Sequence, residues 1–215
     1  MTDTPRRRSR RAVLQTTAAA RVADLQARFL GNESDAVATL ARLRRCDPTD
    51  VGADPLVWAV TLGHLPMELT EYESGRPDGP TPSERALHAA LVLYSLHQQS
   101  RDEGVHRPGV SFGFAIGQLA RARAVDEELD TATVNRLHHA ALAPDFEGRV
   151  HHLRGLIQLM RGEKQTVGLD YGLLTVDLWQ FADPYQDANE VLTRWGRDLH
   201  ARPKNADPTT TEETK

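Results

Sequence analysis

Histidine is the residue type with most to offer chemically in this chain. Nine are present, and four form two adjacent pairs, His138-His139 and His151-His152, in consecutive predicted helices. Imidazole nitrogens ligate zinc or iron, so convergence of the pairs would build a helical metalloenzyme site. Adjacent helical residues point about 100° apart, however, so each pair offers one ligand per face. Glu84 and His88 share a face, but the HExxH pattern of a zinc protease is absent. The single cysteine, Cys46, excludes an intrachain disulfide and reads as an inert thiol. No GxSxG, SxxK or glycine-rich phosphate loop occurs. The spacing therefore signals no catalytic residue, no metal site and no cofactor.

Net charge is −4, from 26 Lys and Arg against 30 Asp and Glu, which argues against a generic basic nucleic-acid coat protein. The distribution is uneven. Acid collects from Glu68 to Asp78 and from Asp126 to Asp130, while Arg6 to Arg11 holds five arginines in six residues. Such asymmetry suits a protein that meets nucleic acid on one face and protein on another, and many ordinary proteins besides.

The elements that must position these groups read as helices throughout. Leu14, Ala18, Val22, Leu25 and Phe29 recur at helical spacing before Gly31. Glu33 to Arg45 follows, with Val37, Leu40 and Leu43 inward, and Asp47-Pro48 stops it. Asp54-Pro55 opens a short helix to Gly63. The Gly- and Pro-rich stretch 73–82 reads as an exposed loop or hinge. Thr81-Pro82-Ser83-Glu84 is a capping box for a helix running to Ser100. Ser111 and Asp130 cap the next two, the second with Val134, Leu137 and Leu142 inward. Phe146 to Arg161, Tyr171 to Phe181 and Ala188 to His200 complete the set. The expectation is an all-α protein of about nine helices, either one compact bundle or two lobes, 11–124 and 128–200. A flexible Arg-rich segment, 1–10, precedes it and a disordered polar tail, 201–215, follows. No apolar run reaches the length of a membrane span, and a cytoplasmic location is expected.

Several blocks, in order, resemble the small subunit (the CasB family) of Cascade, the type I-E CRISPR surveillance complex. They are Leu93-Tyr94-Ser95-Leu96-His97-Gln98-Gln99-Ser100, then His106-Arg107 and Ser111-Phe112-Gly113. His151-His152-Leu153-Arg154-Gly155-Leu156-Ile157 follows, then Leu169-Asp170-Tyr171, Asp177-Leu178 and Trp195-Gly196-Arg197-Asp198-Leu199. The resemblance covers roughly 35–200. It implies an all-helical, non-catalytic scaffold that pairs with a second copy of itself and contacts the large subunit and the backbone subunits. It also implies basic surface facing guide RNA, target DNA and displaced strand, with cleavage left to a separate helicase-nuclease.

In such a complex base pairing reads the sequence, so the protein need only grip backbones. The candidates are Arg42 and Arg45 on one helix face, Arg101 and Arg107 in a loop, and Arg121 and Arg123 at a helix C-terminus. Arg149, Arg154, Arg161 and Lys164 surround the histidine-rich helix. Each reads equally as a solvated charge or an ion-pair partner, and Arg154, beside core Leu153, as a structural residue. Trp58 and Trp195 are expected in the core rather than as stacking platforms. The competing functions are the metalloenzyme on His138, His139, His151 and His152, and a helical adaptor with no nucleic-acid role.

Overall fold

A computed structural model describes residues 9–71, 78–125 and 128–202. Among them ten α-helices and no strands occur. They are α1 (Arg10–Leu30), α2 (Ser34–Leu43), α3 (Trp58–Thr61, entered through a 3₁₀ turn, Pro55–Val57), α4 (Met67–Thr70), α5 (Pro82–His97), α6 (Phe112–Ala122), α7 (Thr131–Leu142), α8 (Phe146–Gly162), α9 (Tyr171–Ala182) and α10 (Ala188–Leu199). The all-α expectation holds. The stops and caps in the sequence account for most boundaries: Ser9, Asp54, Thr81, Ser111, Asp130, Asp145, Asp170 and Asp187 each accept a backbone N–H from the first turn that follows. Thr81 and Glu84 form the full capping box.

Helices α5 and α9 are buried on nearly every face, the pattern of central helices. They pack on each other, with α1 against both and α8 against α5. A single apolar cluster draws on all ten helices. Helix α10 approaches α6 backbone to backbone, because a Cβ at Gly113 or Gly117 would sit 2.5 Å from Trp195 O or 2.3 Å from Leu199 O.

Some expectations shift. Helix α2 ends at Leu43, two residues early, and Val37 faces outward. Leu142 is the last residue of α7 and 80% exposed, because the chain turns away before it reaches the core. Trp58, expected in the core, is 47% exposed, with its indole N–H donating to Gly52 O at 2.7 Å; Trp195 is buried as expected. Arg10, assigned to the flexible start, is the first residue of α1 and donates to Glu71 O. Residues 1–8, the first half of the 73–82 loop and the tail from 203 lie outside the described residues.

Candidate nucleic-acid interface

The predicted cations separate into two groups by what their guanidinium groups touch. A helix leaves its last carbonyls without intrahelical donors, and a buried arginine can satisfy several at once. Arg149 does this for α7. Only 8% exposed, it donates to Ala140, Ala141 and Ala143 carbonyls at 3.1, 3.0 and 2.7 Å and lies 4.0 Å over the Phe181 ring. Arg101 donates to Met160, Arg161 and Glu163 carbonyls at the end of α8. Arg121 reaches Leu199 and Ala201 carbonyls at the end of α10. Each of these three guanidinium groups is bonded to backbone carbonyls at a helix end, which makes it a poorer candidate for a phosphate contact than a cation without such bonds. Arg21, which the sequence did not single out, does the same for the end of α3.

Two more are ion-paired. Arg123 bonds Glu163 at 2.6 Å and lies 3.9 Å from Asp130, and Arg107 is 3.6 Å from Glu103. Lys164 is exposed and shares an open recess of about 680 Å³ with Arg123, Gln118 and Thr166.

The remaining candidates converge. Arg42 and Arg45 are exposed, and Arg154 and Arg161 are half-buried on one flank of α8. Arg44, missed by the sequence reading, joins them: burial lowers its pKa first, with the charges of Arg45 and Arg161 adding to the effect. The Arg161 charge on α8 is thus within electrostatic reach of the turn that follows α2. Arg154 stands near the following turn, where it helps keep the Asp47 carboxyl below its usual range behind the larger effect of two Thr49 hydrogen bonds. His88 holds that turn, its Nε2 donating to Asp47 O at 2.9 Å. Among the described residues no ion pair engages Arg42, Arg44, Arg45, Arg154 or Arg161; Arg161 donates to the neutral Gln99 side chain at 2.5 Å. Arg44 thus senses the charges of Arg45 and Arg161, Arg154 lies two turns from Arg161 on the same flank of α8, and Arg42 is exposed three residues before Arg45. The adjacent Arg44-Arg45 pair was the available signal for the missed residue.

A family model described as CRISPR-associated protein Cse2 matches residues 39–200, well over half of the chain. The chain belongs to the Cse2 family. Its fold also matches the crystal structure of CasB from Thermobifida fusca, with TM-score 0.68 and 31% identity over 88% of this chain and 98% of that one. No curated protein matches the sequence. The CasB/Cse2 family supplies a subunit of type I-E Cascade, as the ordered blocks implied. The match takes in α3 to α10 and the C-terminal half of α2, and leaves all of α1 outside it. The histidines of the metalloenzyme reading lie on α7 and α8 in this Cse2 fold. His139 and His152 meet with ring centroids 5.9 Å apart, and His151 lies 5.7 Å from His152. Among the described residues no group of three or more His, Cys, Asp or Glu side chains is arranged to hold a metal ion, and no helix is long and apolar enough to cross a membrane.

Proposed function

We propose that this Cse2-family chain is a non-catalytic scaffold subunit that grips sugar-phosphate backbones and stabilises the R-loop within type I-E Cascade. Its partners are the large subunit, the backbone subunits, a second copy of itself, guide RNA, and target and displaced DNA. The observation that supports this reading is the set Arg42, Arg44, Arg45, Arg154 and Arg161, none of which forms an ion pair among the described residues, although the Asp47 carboxylate lies near Arg154. Maintaining mutually repelling arginines on rigid helices disfavours the fold slightly, and an external polyanion relieves that repulsion. Arg107, Arg123 and Lys164 form an outlying second set whose ion pairs must rearrange before they meet phosphate.

Backbone contacts carry no base information, so the expected behaviour is salt-dependent, sequence-uniform binding. The test is the double variant Arg45→Glu and Arg154→Glu in the reconstituted complex, assayed for R-loop formation across a salt series. For single strands each lost phosphate contact flattens the log–log salt slope by roughly 0.7, so two lower it by about 1.4. Assembly should persist, since among the described residues neither side chain forms an ion pair. An assembled, folded variant with unchanged slope and unchanged R-loop stability would favour the adaptor reading instead.

A further inference from the structure

The histidine cluster that fails as a metal site has another use. His151 is exposed and His152 half-buried, and their rings lie 5.7 Å apart at an interplanar angle of 77°. His139 of α7 extends the group, its ring 5.9 Å from His152. One turn along α8 the helix surface is bare: at Gly155 an added Cβ would meet nothing within 4 Å. On a helical projection Gly155 lies between the bearings of His151 and His152, so the rings border an open glycine floor. His151 and Arg154 are three residues apart and therefore neighbours on the α8 surface. The ring cluster thus adjoins the unpaired cationic face.

We propose that His139, His151, His152 and the open surface at Gly155 form a stacking site for unpaired nucleobases. The ligand class is single-stranded nucleic acid whose phosphates run along Arg154, Arg161 and the end of α2. This inference rests on the backbone-gripping function proposed above and adds a base-dependent contact to it. Cationic tracks paired with flat rings are the general solution to single-strand binding, because every base has a π-face and the track needs no sequence. Histidine rings serve in this way as other aromatic rings do. Three rings in a chain, with His152 between His139 and His151, and no arrangement among the described residues that would hold a metal ion, present faces and edges rather than a coordination sphere.

The experiment compares a 20-nucleotide oligothymidylate with an abasic deoxyribose-phosphate oligomer of equal length, both titrated into the full chain at low salt. The wild type should bind the thymidylate more tightly. His151→Ala with His152→Ala should weaken thymidylate binding at least about fivefold, the lower end for a stacked base. The abasic oligomer should change less than twofold, and the salt slope for both should stay unaltered. Phenylalanine at the same two positions should restore thymidylate binding, which a charge-based role would not allow. His151→Ala alone, at an exposed position, gives a smaller loss of the same kind without disturbing the packing beneath His152. Equal losses on both oligomers, or phenylalanine behaving as alanine, would overturn the stacking site and leave the cationic face standing. Absence of salt-dependent binding of either oligomer by the wild type would overturn the cationic face and the stacking site together.

Discussion

Arg149 provides the sharpest separation between an arginine that builds the fold and one that meets nucleic acid. In the sequence it is one basic residue among several on a histidine-rich helix; in the structure it closes the end of α7 through three carbonyls and covers Phe181. Hydrogen bonds from a charged donor contribute about 1.5–3 kcal/mol each when lost singly. They share one guanidinium here, so their losses do not add. The cation–π contact contributes about 1–2 kcal/mol in a partly desolvated setting. Against these stands the cost of burying the charge, visible in the unpartnered Arg149 Nε. The net expectation for Arg149→Ala is a loss of about 3–4 kcal/mol, since three carbonyls are left without donors. For a domain of this size that lowers the melting temperature by roughly 10 °C. Urea unfolding followed by circular dichroism reads the first number and thermal melting the second. The salt slope of oligonucleotide binding, measured below the melting temperature, should not change. A variant that melts within a degree or two of the wild type, with a salt slope flatter by about 0.7, would refute the reasoning and return Arg149 to the phosphate contacts.

Two further expectations concern stability alone. Burial, with a smaller contribution from the Arg101 charge, pushes the His97 imidazole down to about 3; its Nδ1 lies 3.0 Å from the buried Tyr171 hydroxyl. The unfolded chain takes up a proton there as pH falls below about 6.5 and the folded chain does not until about 3, so His97 costs stability through that window at about 1.4 kcal/mol per pH unit. In His97→Gln the slope of unfolding free energy between pH 6 and 4.5 should shrink by about one proton, and an unchanged slope would contradict the burial argument. Gly155→Ala should stabilise the chain by about 0.5–1 kcal/mol in urea unfolding, because the site is mid-helix and the methyl group meets nothing; a destabilised variant would show that the surface over Gly155 is not open.

Helix starts were the most legible part of the sequence, for a local reason. An N-cap is a short-range event between a Ser, Thr or Asp side chain and an N–H two or three residues on, so Thr81, Ser111, Asp130 and Asp170 announce themselves. The four-residue α4 escaped notice because it has no side-chain cap. Which arginines face solvent was not legible. Arg101 reaches carbonyls about 60 residues away and Arg121 about 80, and no periodicity within one helix encodes such a partner. Arg42 and Arg45 were chosen for their helical spacing, yet Arg45 falls beyond the end of α2.

The same distinction explains how a chain of net charge −4 presents a cationic face. Five aspartates, Asp54, Asp130, Asp145, Asp170 and Asp187, are N-caps whose oxygens accept backbone N–H groups. Four arginines, Arg21, Arg101, Arg121 and Arg149, are bound to carbonyls at helix ends. These charges are held against the backbone dipoles that each complements, negative at helix starts and positive at helix ends. They enter the formal sum with full weight but are poor guides to the surface a ligand meets. What reaches an approaching polyanion is set by the side chains left over, and around α2 and α8 those are Arg42, Arg44, Arg45, Arg154 and Arg161. Net charge is therefore a weak test of nucleic-acid binding in a protein whose many short helices need caps, and the arrangement of unpaired charge is the stronger one.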